Sequence, residues 1–358
     1  MEQVQVRAQA LTALRNERGA AAVMVSLFLV VLLAMGAAAI DIGHSMVARN
    51  ELQNASDAAA LAGTRTLGLV YEGLTPAEMQ TYVLTGGDQT AIFNAVQGAG
   101  VANMAAGVAV TVGTSDIQIG QWDAATRTFT ATVNQPRAVR VLTRRDATLN
   151  GPISTFLGSV VGLSSVSVNA VATAELTAIG STAPGALDLP LAISELFFSQ
   201  YGCGDSIMLY PSNGTPESCA GFMTYDQSPS NDITYRNIVN GLIDGSYQAP
   251  PTTAGQTYME FTNGTLSNPS WNALVDLFNL KRGSTCCWDA LVPVYEGNDC
   301  SPSGSILIKG YANIRITNIQ GPPNHTITGN VECPQFESGG IGGGPAYGVF
   351  TTAPGLVE

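Results

Sequence analysis

The residues most able to do chemistry lie in the second half of the chain. Asp226, Ser228 and Ser230 place three short oxygen donors at alternate positions, a spacing able to hold Mg²⁺ or Ca²⁺. Such a loop needs a long buried strand before it. The sequence supplies only Ala220 to Tyr225 after Cys219, and Pro229 falls inside the pattern, so the stretch reads as a Ser/Asp turn. Gly204-Asp205-Ser206 offers a hydroxyl nucleophile, which needs a base within hydrogen-bond reach. The chain has two histidines, His44 near the apolar N-terminal stretch and His325 in a Pro-Pro-Asn-His turn. Neither stands in a triad context, and no Gly-x-Ser-x-Gly elbow occurs. No catalytic residue, metal ligand or cofactor site is expected, and the chain reads as a non-enzyme.

Cysteine is the more informative residue. Cys203, Cys219, Cys286, Cys287, Cys300 and Cys333 are the whole set, and none precedes residue 203. An even number confined to one region reads as a disulfide set made in an oxidising compartment. Buried free thiols are the alternative. Zinc is disfavoured, since no paired CxxC spacing exists. Six cysteines permit fifteen pairings, and the sequence leaves the choice open. Cys203 with Cys219 is the preferred local pair because it closes a short loop.

The elements that must carry these residues start from an unusual N-terminus. From Gly19 to Ile40 there is no charged side chain over 22 residues, and ten of them are Leu, Ile, Val or Phe. As a helix this run is about 33 Å long, enough for the hydrocarbon core of a bilayer. Arg7, Arg15 and Arg18 precede it, whereas Arg49 is the first basic residue after it. The positive-inside rule then puts the N-terminus in the cytoplasm and the rest of the chain outside. Ala37-Ala38-Ala39 also supplies a cleavage signal of the A-x-A kind. The length of the run, and the unbroken helical sequence after it, favour an anchor.

Asp41 to Leu67 continues as a helix without proline. Leu52, Ala55, Ala59 and Gly63 lie on one face, narrow enough for another helix to approach closely. A further helix is expected over 88–106. Strand alternation follows at Val108 to Val112, Ile117 to Trp122, Phe129 to Val133 and Ala138 to Thr143. In 166–178 the even positions are apolar and the odd ones mostly polar, which predicts one face on a core and one in water. PISTFLGSVVG, residues 152–162, reads as a short helix or apolar loop. Beyond the linker-like GSTAPG at 180–185, a helix is expected over 269–280 and strands over 291–295 and 306–319.

The fold class is therefore α+β: a transmembrane helix extending into an extracytoplasmic helix, then β-rich extracytoplasmic domains. The expected divisions are a cytoplasmic terminus at 1–18, a transmembrane helix at 19–40 and a juxtamembrane helix at 41–67. An α+β domain follows at 68–180, a Cys-containing β-rich domain at 181–338 and a Gly-rich flexible tail at 339–358. Asn213-Gly-Thr and Asn263-Gly-Thr are formal glycosylation sequons, read as turns. With 15 basic against 27 acidic residues, no basic stripe is available for nucleic acid.

Arg18-Gly19, the apolar run, Asp41-Ile42-Gly43 and ARNELQNASDAAALAG at 48–63 together resemble the N-terminal segment of TadE/TadG-like Flp pilus-assembly proteins. A looser likeness continues through AVRVLTRRD, STFLG and SVSVNAVATAEL, and at LVPVYEG and IKGYANIRITNI. Prepilins carry a Glu five residues after the cleaved Gly; that position here is Met24, which brings the chain closer to TadG-like anchors. The resemblance implies a single-pass component of a bacterial inner membrane, with other Tad/Flp membrane proteins and the lipid bilayer as partners. No small-molecule substrate is implied. The alternative is a surface adhesin, since Asp226-x-Ser228-x-Ser230 is similar to the metal loop of von Willebrand A domains found in some TadG-like proteins.

Overall fold

In the computed structural model, residues 2–198, 200–210, 219–262, 265–337, 342–345 and 347–358 are described. The sequons at Asn213 and Asn263 and the start of the Gly-rich stretch, Gly339 to Ile341, lie outside them. In chain order the principal helices are α1 (Glu2–Glu72), α2 (Gly86–Val101), α3 (Asp232–Asp244) and α4 (Asn268–Arg282). The principal strands begin with β1 (Ile117–Asp123), β2 (Thr128–Ala131), β3 (Ala138–Arg145), β4 (Val168–Ala178), β5 (Leu191–Ser194) and β6 (Ser206–Tyr210). They continue with β7 (Ala220–Phe222), β8 (Tyr258–Phe261), β9 (Trp288–Tyr295), β10 (Gly304–Gln320), β11 (Thr326–Glu332), β12 (Gln335–Glu337) and β13 (Val349–Leu356). A long apolar helix followed by β-rich structure with a few helices is the α+β class expected.

The α1 helix is a single element because nothing in its sequence stops it. No proline occurs before Pro76, and alanine is dense on both sides of Asp41. It ends where Gly73 and Leu74 close turns onto Val70 and Tyr71, and Thr75 then caps the next turn through a capping box with Glu78. Apart from half-buried Ala37, its stretch over 19–40 is exposed: Val25 is 67% exposed, Leu29 56% and Leu33 65%. It is the one candidate membrane span among the described residues.

The chain divides into two compact units. The first comprises Met1–Ala58, Gln97–Asp116 and Leu142–Val171. Its core joins Leu52 and Ala55 of α1 to Ala105, Val110 and Ala170. Polar groups inside this contact are paired. Ser56 and Thr143 share a hydroxyl hydrogen bond of 2.7 Å, and the Thr143 hydroxyl donates to the Leu52 carbonyl at 3.0 Å. Arg145 donates to the carbonyls of Gly151 and Ala105, so its guanidinium is buried with partners. The alternating valines expected to make a strand at 108–112 make only a two-residue pairing at Val108–Ala109. Val110 and Val112 are buried nonetheless.

The second unit comprises Ala59–Val96, Ile117–Val141 and Ala172–Glu358, and two larger sheets dominate it. In the first the order is β12-β13-β4-β3-β1-β2. The last turns of α1 lie on it, with Thr64 donating to the Ala174 carbonyl at 3.1 Å and the Tyr71 hydroxyl to Pro136 at 2.9 Å. The Tyr71 ring also stacks on Phe336. Here the strand expected to be half-solvated is corrected. Thr173 and Glu175, on its polar face, are buried along with Ala172, Ala174 and Leu176, because β4 is central in the sheet. The tail is corrected as well: 349–356 is a strand, antiparallel to β4 and parallel to β12.

The second sheet has the order β6-β11-β10-β9-β5-β7, with β8 also paired to β10. Both faces of β9 are buried. Trp288, Ala290, Val292 and Val294 share a cluster with Tyr235 and Val239 of α3 and Trp271, Leu274 and Phe278 of α4. Leu291 and Tyr295 share the other cluster with Phe261 and Tyr311. That double burial is why LVPVY reads as a continuous apolar run. Ser181–Thr182 pairs with Thr252–Thr253, and the Thr182 and Thr252 hydroxyls bond at 2.7 Å.

Candidate functional site: the apolar helix and the loop bound to it

Within the first unit, one loop is tied directly to α1 where the apolar stretch ends. Asp41 accepts three successive backbone amides: Phe156 at 2.6 Å, Leu157 at 3.1 Å and Gly158 at 2.6 Å. Desolvation works to push the Asp41 carboxyl up, but the three amides together pull it below its ordinary value. The His44 ring, one turn further along, meets the Phe156 ring edge-on at 5.2 Å.

The loop sequence makes this grip possible. Ile153–Ser154 pairs with Ser165–Val166 as a short hairpin base, and Thr155 closes onto Ser164 at 3.1 Å. A single 3₁₀ turn at Gly158–Val161 then points the amides of 156–158 at one acceptor, and Gly162 at φ 90° ends it. A β-carbon at Gly158 would stand 2.8 Å from the Leu163 carbonyl oxygen, so the turn is tight enough to need glycine there. Between loop and helix lies an open groove of about 900 Å³, with Val30, Leu33 and Ala37 on one wall and Leu157, Val160 and Leu163 on the other. The arrangement can transmit the orientation of the apolar helix to the folded unit without a flexible joint. In the sequence Asp41 is the first residue after the charge-free run and 152–162 reads as a short helix or apolar loop; the contact between them spans over a hundred residues and has no local signal.

The other residues singled out by sequence occupy separate places. Leu52, Ala55 and Ala59 are fully buried. A β-carbon on Gly63 would meet Val96 at 2.6 Å and Val139 at 3.1 Å. The small-residue face is thus covered by the chain's own α2 and β3 at Gly63 and by Ala105, Val110 and Ala170 at Leu52 and Ala55. All six cysteines are bonded: Cys203 to Cys333, Cys219 to Cys300 and Cys286 to its neighbour Cys287. The local pair Cys203–Cys219 is corrected, because sheet pairing brings the end of β11 to Cys203 and the loop after β9 to Cys219.

Ser206 opens β6 opposite Asn330, while His325 precedes the far end of β11, roughly 16 Å away along the strand. The His325 ring is instead stacked on Trp271 and lies 3.2 Å from Asn268. Asp226, Ser228 and Ser230 lie in the turn after β7, an edge strand of three residues, where the Thr224 hydroxyl donates to Ser230 at 3.1 Å. That short edge strand is not the long buried support a metal-adhesion loop requires. Among the described residues no cluster of three His, Cys, Asp or Glu side chains is placed to hold a metal ion.

No curated protein and no solved structure matches the chain. A family model does, and it covers the helix just described: residues 19–66 match the model of putative Flp pilus-assembly TadE/G-like proteins, without separating TadG-like from TadE-like chains. That family is generally non-catalytic, and the match supports a pilus-assembly role. The helix that carries the apolar stretch, the Asp41 grip and the Ala-rich packing face is thus similar, over residues 19–66, to the TadE/G-like Flp pilus-assembly segment.

Proposed function

We propose that this protein is a non-catalytic, single-pass component of a Tad/Flp pilus-assembly system, anchored in a bacterial inner membrane. Residues 19–40 cross the bilayer, the N-terminus is cytoplasmic, and the disulfide-bonded β-rich part works outside, where it contacts other membrane proteins of the assembly. The observation that carries this reading is the continuity of α1. One helix holds 22 uncharged residues, nearly all exposed, and runs on into the packed TadE/G-like segment. At roughly −0.3 to −0.6 kcal/mol for each Leu, Ile, Val or Phe near the bilayer centre, the run favours insertion by several kcal/mol. Three arginines before it and disulfides after it support the orientation.

Protease added to spheroplasts tests the reading. An epitope after Glu358 is expected to be digested and one at the N-terminus protected, with the intact chain retained in carbonate-washed membranes. Release of a mature chain beginning near Ile40 by osmotic shock would overturn it. Deleting the gene is expected to abolish surface pili, and a piliated deletion strain would remove the assembly role.

A further inference from the structure

Among the described residues, the loop at 152–166 presents several largely exposed apolar side chains. Val160 is 83% exposed, Leu163 65% and Phe156 64%. No charged residue occurs in this stretch. Isolated exposed apolar residues need no explanation, but a contiguous patch does. This patch stands beside the apolar helix, fixed there by the Asp41 grip on its amides at 156–158. Its groove runs along the helix from Arg49 down to Val30. At 1.5 Å per residue, Val30 lies about 16 Å below Asp41, deep in whatever surrounds residues 19–40.

We infer that the 152–166 loop is a second membrane contact, a wedge inserted among the lipids of the leaflet nearer the folded part, with acyl chains filling the groove beside α1. The occupant is lipid because the exposed loop is continuous with the exposed face of the helix, and because Ile42 and Met46, just past Asp41, extend the same apolar band. Asp41 marks the depth of the wedge. Its charge stays at the boundary, with its oxygens satisfied by the loop's own amides instead of water. A helix gripped at one level and flanked by a wedge has its rotation and tilt restrained relative to the bilayer surface, which a bare single span does not.

The inference rests on the reading that 19–40 crosses the membrane, and one experiment separates the two. The full chain is reconstituted in phosphatidylcholine vesicles with an environment-sensitive fluorophore on Val160→Cys or, in a second sample, on Leu29→Cys. Quenching is measured with spin-labelled lipids and with aqueous iodide. The expected result is that both labels lose emission to the lipid quenchers and are shielded from iodide, the loop label responding best to the shallower spin label. A loop label quenched by iodide alone, or by neither quencher, overturns the wedge while a lipid-quenched Leu29→Cys leaves the span intact; the second case would mean that protein covers the loop. Both labels quenched by iodide would overturn the wedge and the span together. Phe156→Cys, on the same patch, gives an independent reading if labelling at 160 disturbs the turn.

Discussion

Asp41 and Gly158 lie 117 residues apart in the chain, and the carboxylate of one accepts the backbone amide of the other at 2.6 Å. Two further amides, from Phe156 and Leu157, converge on the same side chain. A charge at the end of an apolar helix would ordinarily be held there by water. Here it is also an anchor point for a loop, so the residue that marks the end of the apolar stretch also organises the fold beside it.

Replacing Asp41 with Ala removes the acceptor and leaves three amides to water. The amides of 156–158 are expected to exchange hydrogen faster, and Asp41→Asn, which keeps one acceptor oxygen, should fall between. A carboxyl with a depressed folded value contributes above its unfolded value and loses that contribution as pH falls through the folded one. Protection of the loop, corrected for intrinsic exchange, should therefore hold down to about pH 5 and fail only below the ordinary 3.8 of Asp. Unchanged protection in Asp41→Ala would show that the grip does not order the loop.

Gly68 tests the docking of the C-terminal strand. A β-carbon there would stand 2.4 Å from the carbonyl oxygen of Thr352 in β13, a backbone atom that cannot swing aside. Gly68→Ala should lower the melting temperature of the full chain in detergent, with overpacking costing about 1–3 kcal/mol. A wild-type melting temperature would mean that 349–356 does not lie against α1.

Glu175 should make stability fall as pH rises. Burial pushes its carboxyl up to about 7, and Arg137, at 4.0 Å, offsets only part of this. Between 4.5, its unfolded value, and about 7 the folded chain binds the extra proton. Stability from this group is thus present below 4.5 and lost as pH climbs through 7, by up to about 3 kcal/mol. Glu175→Gln removes the titration, so its melting temperature should exceed that of wild type above pH 7 and flatten across the range. Identical pH profiles would show that water reaches the carboxylate.

The long-range disulfides have a direct chemical readout. Non-reducing peptide mapping is expected to link Cys203 to Cys333 and Cys219 to Cys300, bridges spanning 130 and 81 residues. Loops of that length make each bridge worth roughly 2–5 kcal/mol, so Cys203→Ser with Cys333→Ser should unfold at clearly lower temperature. A peptide joining Cys203 to Cys219 would overturn the strand pairing that sets the bridges.

What the sequence determined here is what depends on neighbours along the chain. The charge-free run 19–40, the proline-free helix to Leu67 and the helix at 269–280 all follow from local periodicity and propensity, and the structure has each of them, with ends moved by a few residues. What the tertiary structure decided depends on residues far apart. Thr173 and Glu175 look solvent-facing because polar side chains alternate there, yet β4 is central in its sheet. Residues 349–356 look like a tail because glycines precede them, yet they find hydrogen-bond partners in β4, some 175 residues earlier. Cysteine pairing and the Asp41 grip are of the same kind. Each is set by which strands and loops meet in space, a contact whose energy is shared between distant segments and written in neither one alone.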